Sequence, residues 1–286
     1  MVIKYERGLM MNIYLAKMLD HIGLFRLHKK KSIKSQFKND LKTPIPVENS
    51  HIFYPEPIIP DISFQQVSQL NQFSSGQYRY ESQIFSEEAN NNIVSGTYYI
   101  SSAKPNEPVH VIFVHGWRMS SLDKIKNMFL DPFLAANYNM YFFTLPYHFD
   151  RTPVDSLYNG EFMISADIER TLLAVKQAIT DLRALIHWIK RNRGGKVIII
   201  GLSLGGFITN LISTLEEQID LLISIMYANS IAYSIWNTVP GKYIKKDLQS
   251  QGVTYEELKS YWAITDPSLF RPIIPKQNIL LISGIY

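Results

Sequence analysis

Residues 196–206, KVIIIGLSLGG, limit what this chain can fold into more than any other stretch. Four aliphatic residues, Val197 to Ile200, run directly into Gly201-Leu202-Ser203-Leu204-Gly205, and a helix-length apolar pattern follows. Buried strand, sharp turn and helix together are the setting of the G-x-S-x-G elbow. A serine at the apex of so tight a turn occupies a strained backbone region, and its neighbours two residues before and after must pack closely without a Cβ. The turn lifts the Ser203 hydroxyl above the carboxyl edge of a sheet, at the positive end of the next helix. The plainer alternative is an ordinary strand-to-helix turn of a doubly wound sheet.

The pattern around this stretch alternates strands and helices. VHVIFV at 109–114 reads as a buried strand and leads at once into His115-Gly116-Trp117-Arg118. A helix is expected over 120–136, a strand over 140–145 and then the loop PYHFDRTP. The longest helix is expected over 165–193, where Ile168, Leu172, Val175, Ile179, Leu182, Ile186 and Ile189 form one apolar stripe. Ser165 suits its start, and Gly194-Gly195 its end. After the elbow come a helix to about residue 215, a strand over 221–227, an aromatic-rich segment of short helices over 230–270 and a last strand over 278–282. The expected architecture is α/β, a mostly parallel sheet with helices on both faces. It occupies residues 93–286.

Residues 1–92 read differently. Ten Lys or Arg against three acids fall within 1–42, although the whole chain carries a net charge of only +4. The body is therefore not basic, and a nucleic-acid partner is not expected. The first 42 residues suggest a helix packed on the body, or a weak contact with an anionic membrane surface. From Thr43 to Asn92 the chain is rich in Pro, Ser, Gln and Asn and reads as an extended lead-in on the surface. It ends in early strands around 77–84, before a short one at 97–100. No cysteine is present, which excludes disulfides and thiolate metal sites. No apolar run approaches the length of a membrane span. No secretory signal is readable, so the expected location is cytoplasmic.

VIFVHGW, GLSLGG and ILLISG, in that order and at domain-scale spacing, resemble the α/β-hydrolase superfamily over roughly residues 95–286. HGWR, LPYHFDRTP and GLSLGG together resemble a group of serine hydrolases within it. The resemblance implies that Ser203 is a nucleophile that forms an acyl-enzyme on a carboxylic ester. The backbone N–H groups of Leu204 and Trp117 would be its oxyanion donors. His115 and Gly116 would shape the oxyanion loop, with His115 bracing it from beneath. Gly201 and Gly205 would shape the elbow. Arg118 and the Trp117 side chain either line the mouth of the site or are simply exposed. In the next loop His148, Asp150 and Arg151 either contact substrate or brace the loop through an Arg–Asp pair. The resemblance implies that the aromatic segment 230–270 is a lid over the site, and it implies no metal and no organic cofactor.

The family order is Ser, acid, His. All seven histidines (21, 28, 51, 110, 115, 148 and 187) precede Ser203. Asn229-Ser230, one site for the acid, offers no carboxylate, and the other site falls at the end of ILLISG. Asp220 precedes its strand, and Asp266 before Pro267 reads as a turn or cap. The expectation is a partial reading frame lacking the final strand and helix, with an uncovered sheet edge and no turnover as given. The alternatives are a complete but degenerate protein, and a non-catalytic fold that binds an apolar ligand or a protein partner.

Overall fold

The structure, a computed structural model, describes residues 25, 28, 34–69, 72–103 and 105–284. Most of the basic arm expected over 1–42, with its membrane reading, lies outside the described residues. No helix among them is long and apolar enough to cross a membrane.

Eight strands form one sheet in the order β1-β2-β3-β5-β4-β6-β7-β8. They are β1 (Ser63–Gln69), β2 (Phe73–Glu81), β3 (Ile93–Ser101), β4 (Val109–Val114), β5 (Asn139–Phe143), β6 (Lys196–Leu202), β7 (Leu221–Ile225) and β8 (Ile279–Ile282). The first three strands and β5 pair antiparallel, whereas β5, β4, β6, β7 and β8 run parallel. The carboxyl ends of the parallel strands therefore share one edge, where their loops meet.

Strand alternation divides the interior between two faces. Ile112 and Val114 of β4 join the larger core, and Val111 and Phe113 the smaller one. Helix α1 (Asp123–Ala135) closes the smaller core with Ile125 and Phe129. Helices α2 (Ile168–Arg193) and α3 (Leu204–Ile212) close the larger one. All seven residues of the α2 stripe are buried. Asp167 rather than Ser165 caps α2, accepting from the N–H of Arg170 at 2.9 Å, and Gly194 ends the helix at φ 65°. Three short helices, α4 (Ile231–Asn237), α5 (Lys242–Ser250) and α6 (Tyr255–Tyr261), occupy the aromatic-rich segment.

The lead-in is more structured than its composition suggests. Strand β1, SFQQVSQ, lacks an apolar alternation and is held by pairing with β2, Ser63 opposite Arg79. Tyr54, Tyr78 and Tyr80 are buried, so the segment forms part of the core instead of lying on it. It bonds directly to α2: the Tyr80 hydroxyl donates to the Asp181 carbonyl at 2.7 Å, and Asn91 Nδ2 to Gln177 Oε1 at 2.7 Å. On the opposite side of the sheet, Leu280 and Leu281 of β8 are about half exposed (49% and 50%).

Candidate active site

Backbone strain gathers where the parallel strands end. Non-glycine residues with positive φ occur after β4 (Arg118, 61°), after β5 (Tyr147, 61°, and Phe149, 48°), after β6 (Ser203, 54°) and after β7 (Met226, 49°). Such conformations cost on the order of 1–3 kcal/mol each and persist only where the surroundings enforce them.

At Ser203 the enforcement can be traced. The residue is exposed between β6 and α3 at φ 54° and ψ −112°, and its N–H donates to the Ile225 carbonyl at 2.9 Å. A Cβ on Gly205 would lie 2.1 Å from the Val114 carbonyl oxygen, and one on Gly201 would lie 2.4 Å from the Gly205 carbonyl oxygen. Both obstacles are backbone, so neither can swing aside. Gly205→Ala is expected to destabilise the fold by about 1–3 kcal/mol, the usual cost of overpacking. A thermal unfolding midpoint unchanged from wild type would refute that close approach.

The turn after β4 lies against the serine, since a Cβ on Gly116 would be 3.4 Å from Ser203 Cβ. Leu204 opens α3, so its N–H has no acceptor within the helix. His115 ties the turn to the end of β5. Its Nδ1 donates to the Gly116 carbonyl at 2.9 Å, and its Nε2 accepts the Leu145 N–H at 3.1 Å. Both ring nitrogens are thereby committed, and burial lowers the pKa of His115 to about 4. The Trp117 indole donates to the Gly160 carbonyl at 2.7 Å, and Asn159 Nδ2 to the Met119 carbonyl at 2.8 Å. Asn159 and Gly160 were not among the expected site residues. Their Asn-Gly pair is a turn signal, which identifies a bend without saying what it clamps.

Two expectations for the loop after β5 are corrected. His148 does not face a substrate. It is completely buried, its ring 4.7 Å from that of His115, with Nδ1 donating to the Pro146 carbonyl at 2.8 Å. Burial holds it well below the ordinary histidine pKa. Asp150 and Arg151 do not pair with each other either. Adjacent residues of a helical turn point apart, so Asp150 meets Arg79 at 3.5 Å while Arg151 turns inward to Asp181 at 2.9 Å. Arg118, by contrast, stays at the turn, its guanidinium carbon 3.5 Å from the Tyr158 ring centroid.

Among the described residues Ser203 Oγ has no hydrogen-bond partner and does not cap α3. The aspartates that follow it in sequence are engaged elsewhere. Asp220 holds Lys190 at 2.6 Å, Asp247 accepts from Ser35 Oγ at 2.6 Å, and Asp266 accepts from the Ser268 N–H at 2.9 Å. His187 bonds Glu216 at 2.7 Å. No cluster of His, Asp or Glu among the described residues could hold a metal ion.

A family model described as the alpha/beta hydrolase family matches residues 111–271. An uncharacterized protein of Bacillus subtilis (strain 168), YdjC, is 60% identical over 63 residues, which are 22% of this chain and 54% of that protein. The chain thus spans about half the length of that curated relative. Acetyl xylan esterase 1 from Thermoanaerobacterium sp. JW/SL YS485 superposes with a TM-score of 0.59 at 13% identity, over 92% of this chain and 90% of its own. The acetyl xylan esterase from Paenibacillus sp. R4 gives 0.57 at 14% identity, over 85% and 78%. At such identities these two structures show a shared fold alone.

Proposed function

Because the chain belongs to the alpha/beta hydrolase family, we propose that it descends from carboxylic-ester hydrolases acting through an acyl-enzyme on Ser203. The observation that carries this reading is the exposed, strained Ser203 between two glycines that tolerate no Cβ. Attack by Oγ on an ester carbonyl would place negative charge on the carbonyl oxygen. The N–H of Leu204, at the head of α3, and the N–H of Trp117, in the turn against the serine, are the proposed donors. His115 acts in this reading as a brace, since accepting a proton would turn its Nε2–H against the Leu145 N–H.

A serine hydroxyl needs a general base, and loss of the base in serine enzymes costs on the order of 10⁶ in turnover. We therefore expect the 286-residue chain to hydrolyse p-nitrophenyl acetate no faster than its Ser203→Ala variant. Turnover abolished by that substitution would mean that a base serves Ser203 after all.

The nucleophile itself is tested by supplying an external base. With imidazole in solution as external base, p-nitrophenyl acetate should acetylate Ser203 in the wild-type chain and leave Ser203→Ala unmodified, as read by peptide mass. The Oγ, which has no hydrogen-bond partner among the described residues, also favours a second reading, a non-catalytic fold that binds an apolar ligand or a protein. Failure of acetylation both with and without imidazole would select it.

A further inference from the structure

Both backbone polar groups of Gly116 are committed. Its N–H donates to Met119 Sδ at 3.3 Å, and its carbonyl accepts from His115 Nδ1 at 2.9 Å. The C=O and N–H of a trans peptide point in opposite directions, so the second bond directs the Trp117 N–H away from the imidazole. Rotations just beyond that peptide, at Trp117 and Arg118, could still undo the aim. Arg118 sits at φ 61°, a conformation that persists only where its surroundings enforce it. The enforcement comes from either side. Before Arg118, the Trp117 indole donates to the Gly160 carbonyl at 2.7 Å; after it, the Met119 carbonyl accepts from Asn159 Nδ2 at 2.8 Å. Both bonds end on one bend, which therefore clamps the strained residue at two points.

The bend is itself fixed to the loop after β5. Asn159 Oδ1 accepts from the Phe149 N–H at 3.0 Å and from Thr152 Oγ1 at 2.8 Å, which leaves Nδ2 to face the Met119 carbonyl. A backbone N–H only donates and a carbonyl only accepts, so this set admits one orientation of the amide. The Gly160 N–H donates to the Tyr147 carbonyl at 2.7 Å, and its carbonyl accepts from the Met163 N–H at 3.2 Å as well as from the indole. A Cβ on Gly160, at φ 79°, would collide with the His148 ring, which in turn packs on His115.

We propose that Asn159 is a positioning residue for acylation of Ser203: through the Met119 carbonyl it keeps the Trp117 N–H aimed at the oxygen that gains charge. The proposal rests on the reading of Ser203 and Trp117 given above. Asn159→Asp tests it in the full chain, because the carboxylate keeps both bonds that Oδ1 accepts and loses only the donor to Met119. With imidazole as external base, acylation of Ser203 is timed with p-nitrophenyl acetate and with its thiono analogue, in which C=S replaces C=O. Sulfur is a weak acceptor, so a misaimed donor slows the oxo ester, whereas a loosened fold slows both. The oxo-ester rate should fall at least about tenfold, short of the 10²–10³ or so lost with a whole donor. The thiono-ester rate, the circular dichroism and the thermal midpoint should stay close to wild type. Trp117→Phe is the second variant. It keeps the backbone donor, leaves the Gly160 carbonyl paired with the Met163 N–H, and should show the same selective loss. Either variant that folds as the wild type does and yet keeps the oxo-ester rate, or slows both esters equally, overturns the proposal. Wild-type acylation with such a result removes the clamp alone. No acylation of the wild-type chain removes the Ser203 reading, and the role of Asn159 with it.

Discussion

Replacing Asp181 with alanine is expected to destabilise the protein by about 3–5 kcal/mol, as removal of one partner from a buried ion pair does. The thermal midpoint should fall by on the order of 10 °C. Arg151 is completely buried. Its Nε and Nη2 donate to the Asn91 carbonyl at 3.0 and 2.7 Å, its Nη1 donates to the Thr144 carbonyl at 3.1 Å, and Nη2 also meets Asp181 Oδ2 at 2.9 Å. The carbonyls supply dipoles, while Asp181 supplies the only formal negative charge in that set. Its Oδ1 accepts Ser82 Oγ at 2.7 Å, so a single carboxylate ties β2's exit, the loop after β5 and α2 together. Alanine would leave a guanidinium charge in a dry interior. The double variant Arg151→Met with Asp181→Leu removes both charges and should recover most of the loss, because a packed apolar pair rivals a buried ion pair. Urea denaturation of the three forms decides the matter. A single-variant loss below about 1 kcal/mol, within the range of exposed pairs, would mean that water reaches Arg151 after all.

How much could be read before the structure was in hand depended on whether the signal was local. β4 is expected and found at Val109–Val114, and β6 is found at Lys196–Leu202, because parallel strands buried on both faces are unbroken apolar runs. The glycines at 201 and 205 announced a constraint that the backbone oxygens of residues 205 and 114 now explain. β1 was missed because its residues are polar and its order comes from the partner strand, which is information held elsewhere in the chain. The direction of a polar side chain was equally hidden. Asp150, Arg151 and His148 are adjacent in a loop of the kind that gathers around sites, yet only Asp150 of the three stays at the surface. Burial of the other two is decided by Asp181 on α2 and by the His115 ring, neither of which is near them in sequence.

Acidification should expose the cost of those buried imidazoles. His110, His115 and His148 are at most 1% exposed, and burial is the first cause that lowers each, His110 and His115 to about 4. In the unfolded chain they titrate near 6.5. Between pH 6.5 and about 4 the unfolded state therefore binds protons that the native state refuses, so stability must fall as pH falls through this window. Each group contributes a slope of up to about 1.4 kcal/mol per pH unit, and the three together amount to several kcal/mol. The geometry gives the same sign independently. A proton on His115 would face the Leu145 N–H, and one on His148 would sit 4.7 Å from the His115 ring. His110 allows a clean test because it lies at the start of β4, away from the Ser203 edge, with Nε2 unpartnered among the described residues and Asn139 at 3.4 Å from Nδ1. His110→Phe should change stability little at pH 7.5 and remove about one proton's worth of slope between pH 6 and 4.5. Denaturation curves across that range for the two proteins provide the comparison. Parallel pH profiles would show that His110 is already charged in the folded state, and the buried-neutral account of this strand would have to be abandoned.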